Sequence, residues 1–200
     1  RRDMGDSTFV ADGRGAPARA TELNARPSAG YADKLLATQA LLRQAASLGA
    51  GAVTQASSLG AEDVVLTHLI NALALDIPVF VLDTGALHTE TLALLERTQA
   101  TSRARINVYR PQFDAVIGFV QSHGQRAMYD SMELRKACCT VRKMEPLGRA
   151  LAGKQGWITG LRREQSGARA EVPAIDQSEL ATKGLTKFNP LADWSWGDVW

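Results

Sequence analysis

The sequence is short of cysteine, of long apolar runs and of charge of one sign. Only Cys138 and Cys139 occur in its 200 residues, so no even set of cysteines is spread along the chain as a secreted disulfide scaffold requires. A reducing cytoplasm is the expected compartment. The apolar stretches are strand-sized, such as "IPVFVL" at 77–82, against the roughly 20 residues that cross a bilayer. A soluble chain is therefore expected. The 23 basic and 21 acidic residues leave a net charge of +2, which supplies no global attraction to nucleic acid or to a membrane. Positive character has to be local. The histidines at 68, 88 and 123 are scattered, which disfavours a histidine-rich metal site.

With 45% hydrophobic residues, the chain has the material for one globular domain with a core. Its first residues, "RRDMGDSTFVADGRGAPARA", lack an initiator Met and carry no apolar run behind the arginine pair. Residues 1–30 are accordingly expected to be a disordered leader without a secretory signal, and 31–200 a single domain.

From Tyr31 to Leu48 the apolar positions fall at helical spacing, and "GAG" at 49–51 ends the run. "AVTQA" (52–56), "SSLGA", "EDVVLTHLINALAL" (62–75) and "IPVFVL" then read as strand, loop, helix and strand, a βαβ unit. The pattern recurs in kind: "TETLALLERTQA" is a helix, "ARINVYR" a strand, and "PQFDAVIGFVQSHG" a helix with Pro111 in its first turn. "GWITGL" (156–161) is a further strand. The expected fold is α/β, a mostly parallel sheet with helices on both faces and its ligand at the carboxyl ends of the strands.

Three loops should meet at that edge. "SSLGAED" offers Ser57, Ser58 and a permissive Gly60 before a helix start, which is either an anion site of backbone N–H groups or an ordinary helix cap. In "LDTGALH", Asp83 and Thr84 either cap the next helix or expose backbone to a flat heterocycle beside Gly85. "TGLRREQSGAR" carries Arg162, Arg163 and Arg169, either as a solvated loop or as guanidinium groups matched to phosphate or sulfate oxygens.

The segment "RKACCTVRKMEP" (135–146) holds both thiols among basic residues. Neighbouring Cα atoms sit about 3.8 Å apart, whereas the usual disulfide wants about 5.5–6 Å. As thiolates beside Lys136, Arg142 and Lys143 they would instead be expected to have lowered pKa values and to suit a soft metal. Zinc and iron–sulfur sites both take about four ligands, so two are missing.

In order, "SSLGAEDVVL", "VFVLDTGALHTET", "ELRKACCTVRKMEPL", "WITGLRREQSGARAEVP" and "KFNPLADWSWGDVW" resemble the assimilatory adenylyl-sulfate and 3'-phosphoadenylyl-sulfate reductase family. The resemblance runs from about Tyr31 to Trp200, and the cysteine pair resembles the family's iron–sulfur, adenylyl-sulfate branch. It implies a fold like that of the adenine nucleotide alpha hydrolases. Ser57, Ser58 and Gly60 would form the phosphate turn, and Leu82, Asp83, Thr84 and Gly85 with Thr159 and Gly160 would accept adenosine. Lys143, Arg162 and Arg169 would face the phosphosulfate, with Lys143 and Arg169 taking the catalytic cation roles. Cys138 and Cys139 would be two of the four ligands of a 4Fe–4S cluster. The implied reaction is cysteine attack on the sulfate sulfur, release of AMP, and liberation of sulfite by thioredoxin or a similar dithiol. Family enzymes commonly associate, so a homo-oligomer is possible.

The sequence departs from that family in lacking a second cysteine pair and a C-terminal nucleophilic cysteine. A longer polypeptide is expected, and the 200 residues alone should bind nucleotide weakly and form no sulfite. Competing readings are a 3'-phosphoadenylyl-sulfate reductase, an ATP pyrophosphatase or sulfurylase-type enzyme, a non-catalytic adenine-nucleotide-binding module, and a zinc thiolate site.

Overall fold

The computed structural model describes residues 18–200. Its elements in chain order are α1 (Ala20–Asn24), α2 (Tyr31–Ala46), β1 (Val53–Ser57), α3 (Ala61–Ala72), β2 (Val79–Leu82), α4 (Thr89–Thr101), β3 (Ile106–Tyr109), α5 (Phe113–His123), α6 (Met132–Cys139), α7 (Glu145–Leu151), β4 (Gly156–Ile158), β5 (Ile175–Asp176), α8 (Leu180–Lys183), β6 (Thr186–Phe188) and α9 (Trp196–Val199). The α5 helix starts later than its sequence suggests. Gln112 caps it in an extended conformation, so Pro111 precedes the helix instead of sitting in its first turn.

The strands form one sheet in the order β3-β2-β1-β4-β6-β5. All neighbours are parallel except β5, which runs antiparallel to β6. The chain builds outward from β1 through β2 to β3 and then returns to the other flank of β1 with β4. Strand order thus reverses between β1 and β4, the kind of crevice where open α/β sheets take their ligands.

Alternation along the strands sends Val53, Val79, Val81 and Ile158 to one face, where all four are buried; Val53 and Ile158 cluster with Leu42 of α2 and Leu66 and Ile70 of α3, and Val81 with Leu95 of α4. Fully burying each such aliphatic side chain contributes about 1.5–3 kcal/mol. Gln55, buried on that same face, is satisfied by donating to the Asp63 carbonyl at 2.9 Å and accepting from the Thr67 hydroxyl at 2.9 Å. It ties β1 to the first turn of α3 and so fixes the loop between them. The opposite face is covered unequally. There α7 packs on β2 and β3, while Ala56, Trp157 and Lys187 of β1, β4 and β6 floor an open cavity.

The two cysteines end α6, which continues without a break through a π-helical turn at Thr140–Met144 into α7. Pro146 explains the widening. It has no N–H for the carbonyl of Arg142 four residues back, and its ring crowds that carbonyl in a regular helix.

Residues 1–17 of the expected leader lie outside the described residues. Its remaining part, 18–30, is built into the fold: α1 lies there, the Arg26 N–H donates to the Gly197 carbonyl at 3.2 Å, and Ser28 is bound to Asp198. The Asp198 carboxylate is almost fully buried and accepts from the Ser28 N–H (2.6 Å), the Ser28 hydroxyl (2.8 Å), the Ser195 N–H (2.9 Å) and the Lys34 ammonium (3.2 Å). Burial alone would raise its pKa, but these four donors outweigh it and hold the carboxyl well below the usual aspartate range. A depressed folded pKa contributes stability that is present above the unfolded value of about 3.9 and is lost as the pH falls below it. We therefore expect Asp198→Asn to cost about 2 kcal/mol at neutral pH, with the cost shrinking in acid. Urea unfolding of parent and variant at pH 7 and pH 3 checks this; an equal gap at both values would be the contrary result.

Candidate active site at the β1–β4 crevice

The loop after β1 turns through Leu59, whose φ of 64° is left-handed. The freedom expected at Gly60 is not used, since its φ is −69°. The Leu59 side chain is instead buried against Val81 and Leu95, and that packing holds the turn. Ser57 accepts the Leu59 N–H at 3.1 Å. Ser58 donates both its N–H and its hydroxyl to Asp63 Oδ2 at 2.7 Å, so one backbone donor expected for an anion is already spent within the loop. Burial raises the Asp63 pKa, the two Ser58 donors oppose that, and the neighbouring Glu62 charge adds to it.

The loop after β4 comes close to the start of α3. A Cβ on Gly160 would stand 2.5 Å from Asp63 Oδ1 and 2.9 Å from Glu62 Cβ, so glycine is required for this approach. Thr159, nearly buried, donates its hydroxyl to Asn189 Oδ1 and accepts the Leu161 N–H at 3.4 Å.

After β2, Asp83 does not cap a helix. Its Oδ1 accepts the Gly85 N–H at 3.0 Å and its Oδ2 pairs with Arg110 at 3.1 Å, while Gly85 supplies a φ of 78°. The cap of α4 is His88 rather than Asp83 or Thr84. The Thr84 carbonyl accepts from the Arg142 guanidinium at 3.2 Å, which joins this loop to the cysteine-bearing helix.

These loops surround a cavity of about 580 Å³. Of the residues expected in the site, Ser57, Ser58, Leu82, Thr84, Lys143, Thr159, Gly160 and Arg169 line it. Gly60, Asp83, Gly85 and Arg162 do not; Asp83 and Gly85 shape the turn behind it. Arg162 is the clearest correction. Instead of facing the cavity, it is 5% exposed and pairs with Glu62 at 3.0 Å. It also reaches the Trp194 carbonyl at 3.3 Å and lies 5.6 Å from the Trp196 ring centroid. Burial pushes the Glu62 pKa up, but its own backbone N–H and the Arg162 and Gln165 donors hold it below the usual value.

Phe80, Trp157 and Lys187 line the cavity too. Alternation on a bare sheet face was the signal available for Phe80 and Trp157; the short β6 carried none for Lys187. Among the described residues, Lys143, Arg169 and Lys187 have no carboxylate within ion-pair distance, while the cavity's two carboxylates are engaged by Arg162 and Ser58. The cavity is therefore net cationic and suits an anion. A second cavity of about 610 Å³ opens at the amino ends of β2 and β3, beside Asp76, Arg103 and Lys154, far from these loops.

Cys138 is buried and Cys139 exposed, both as free thiols. Among the described residues no group of three or more His, Cys, Asp or Glu side chains gathers to hold a metal.

The sequence pattern of the phosphoadenosine phosphosulfate reductase domain matches residues 52–200, a span that includes every loop of the cavity. The chain belongs to that family. Within the family it is 50% identical over 145 residues to the adenosine 5'-phosphosulfate reductase of Burkholderia cepacia, covering 72% of this chain and 57% of the relative. It is 53% identical over 145 residues to the adenosine 5'-phosphosulfate reductase of Allochromatium vinosum, covering 72% and 56%. The match thus spans little more than half the length of these curated relatives. The crystal structure of a phosphoadenylyl-sulfate reductase from Candida auris in a phosphate complex superposes with a TM-score of 0.65 at 24% identity, over 81% of this chain and 75% of that one. Yeast FAD synthetase in complex with FAD gives a TM-score of 0.53 at 12% identity, over 88% and 59%. Both show the shared α/β fold.

Proposed function

We propose that this chain is the substrate-binding part of a thioredoxin-dependent adenosine 5'-phosphosulfate reductase of assimilatory sulfate reduction. The observation that carries the reading is the pair Lys143 and Arg169, cations without carboxylate partners among the described residues, on a cavity at the strand-order reversal. The roughly 50% identity to relatives of that name supports the choice of substrate.

In this reading adenosine lies along Leu82, Thr84, Thr159 and Gly160, and the phosphosulfate meets Lys143 and Arg169 near Ser57 and Ser58. A cysteine thiolate attacks the sulfate sulfur, a sulfur–sulfur bond forms, the sulfur–oxygen bond to phosphate breaks, and AMP leaves with the bonding pair. A dithiol of the thioredoxin class then supplies two electrons, becoming a disulfide as sulfite departs. The attacking cysteine is assigned outside these 200 residues. Two anions must meet here, and the cations lower their repulsion and stabilise charge growing on the leaving phosphate.

Cys138 and Cys139, free and adjacent at the end of α6, are suited to be two of the roughly four thiolates of a 4Fe–4S cluster, the others lying outside these residues. When bound, that group adds to the electrostatic field around the substrate. A reducing cytoplasm fits free thiols and a dithiol donor, and no helix among the described residues is long and apolar enough to cross a membrane. Association into a homo-oligomer belongs to the same reading.

The test is sulfite formation by the full-length protein with thioredoxin and adenosine 5'-phosphosulfate or its 3'-phosphorylated form. Turnover with the former is expected. Turnover with only the latter moves the substrate, and none with either ends the proposal.

A further inference from the structure

Lys187 is the cavity cation that the reading above leaves without a role. It lies on β6 directly beside Trp157 of β4 in the parallel register, and both line the cavity. Its ammonium stands 5.0 Å from the centroid of the Trp157 ring. An acidic residue was at hand. Asp176 is its cross-strand partner on β5, and antiparallel partners carry their side chains on the same face. Yet no ion pair joins them. The Asp176 carboxylate instead accepts the Ser178 N–H at 2.9 Å, and the ammonium turns toward the cavity. Beside it, the Trp157 indole N–H is buried without a hydrogen-bond partner among the described residues.

An ammonium resting on an indole face keeps part of its electrostatic stabilisation while remaining free to take a stronger partner. Here the available partner is a ligand. Its place follows from the sheet: β2, where the Leu82–Thr84 loop begins, is separated from β6 by β1 and β4. With strands about 4.8 Å apart, that is about 14 Å, so Lys187 marks the end of the cavity opposite the β2 loop.

We propose that Lys187, resting on Trp157, is an anion-binding residue that takes an oxyanion of the bound sulfonucleotide. The inference rests on the nucleotide reading above. The oxyanion has two possible sources with one chemistry, the 5'-phosphosulfate end or a 3'-phosphate.

Calorimetric titration of the full-length protein and its Lys187→Met, Lys187→Gln and Lys187→Arg variants separates the cases. The probes are adenosine, AMP, adenosine 3',5'-bisphosphate and adenosine 5'-phosphosulfate. Neutral variants are expected to weaken a charged probe about tenfold and leave adenosine unchanged, with arginine restoring most of the loss. A fall with AMP and the phosphosulfate assigns the 5' end; a fall confined to the bisphosphate assigns the 3' position. The proposal is overturned if all charged probes keep their affinity, if adenosine falls equally, or if the parent binds no charged probe. Sulfite formation by the parent reports separately on the reaction: binding that depends on Lys187 without sulfite removes the reaction and keeps the inference.

Discussion

Lys143→Met in the full-length protein is expected to slow sulfite formation from adenosine 5'-phosphosulfate by about a hundredfold or more and to leave thermal stability almost unchanged. The side chain is exposed and makes no ion pair among the described residues, so little folding energy is attached to it. In the proposed reaction its contribution is charge. It is delivered to the cavity by the π-helical turn, which the Arg142 bond to the Thr84 carbonyl holds against the β2 loop. A cation fixed in this way stabilises negative charge that grows as the sulfur–oxygen bond breaks, so the loss should fall on kcat more than on KM. Lys143→Arg should recover part of the rate. Steady-state kinetics with a coupled sulfite assay decides the matter, and a Lys143→Met variant with parental kcat would remove this residue from the reaction.

Arg162→Met is expected to act in the opposite way, costing about 3–5 kcal/mol of stability. The guanidinium is buried and neutralises Glu62 at 3.0 Å. Removing it leaves a carboxylate uncompensated in a part-buried place, where its pKa must rise. Because Glu62 also lines the cavity, the freed charge should repel an anionic ligand, so affinity falls although Arg162 touches no substrate. The double variant Glu62→Gln/Arg162→Met should regain much of both losses, since the carboxylate that remains from Arg162's pairs, Glu164 at 3.5 Å, is solvent-exposed. Denaturant unfolding and AMP titration of the three proteins measure the coupling. A double variant as unstable as the single one would show that packing, rather than charge, governs the site.

Those two residues also show where sequence reading stops. Lys143 and Arg162 are both basic residues in motifs shared with the reductases, and nothing in their identity tells a cation that faces ligand from one that neutralises a buried carboxylate. Burial decides, and burial is a tertiary property. The same holds for the β1 loop, where the conspicuous glycine is Gly60 but the left-handed residue is Leu59, held by contacts to Val81 and Leu95 that are distant in sequence.

Elements with several periods of pattern were legible: β1 to β4 and α2 to α5 lie close to where periodicity puts them. The three-residue β6 and two-residue β5 are too short to show alternation, and Lys187 went unseen with them. Helices on both faces were foreseen, but not that α7 covers only part of one face, because helical spacing does not say which strands a helix lies over. The cysteine segment read as chemistry and not as helix, since Pro146 and the charges around it mask the period.

That segment carries a consequence for insertions and deletions. A π-helical turn is an α-helix holding one residue more than it needs, and each residue advances an α-helix by about 100°. Losing one residue from Thr140–Met144 would return the helix to regular winding, so Cys138 and Cys139 would keep nearly their bearing relative to α7, but the Pro146 ring would be driven against the carbonyl four residues back. The surplus residue works as slack: it gives Pro146 the room it needs without turning the thiols away from their place.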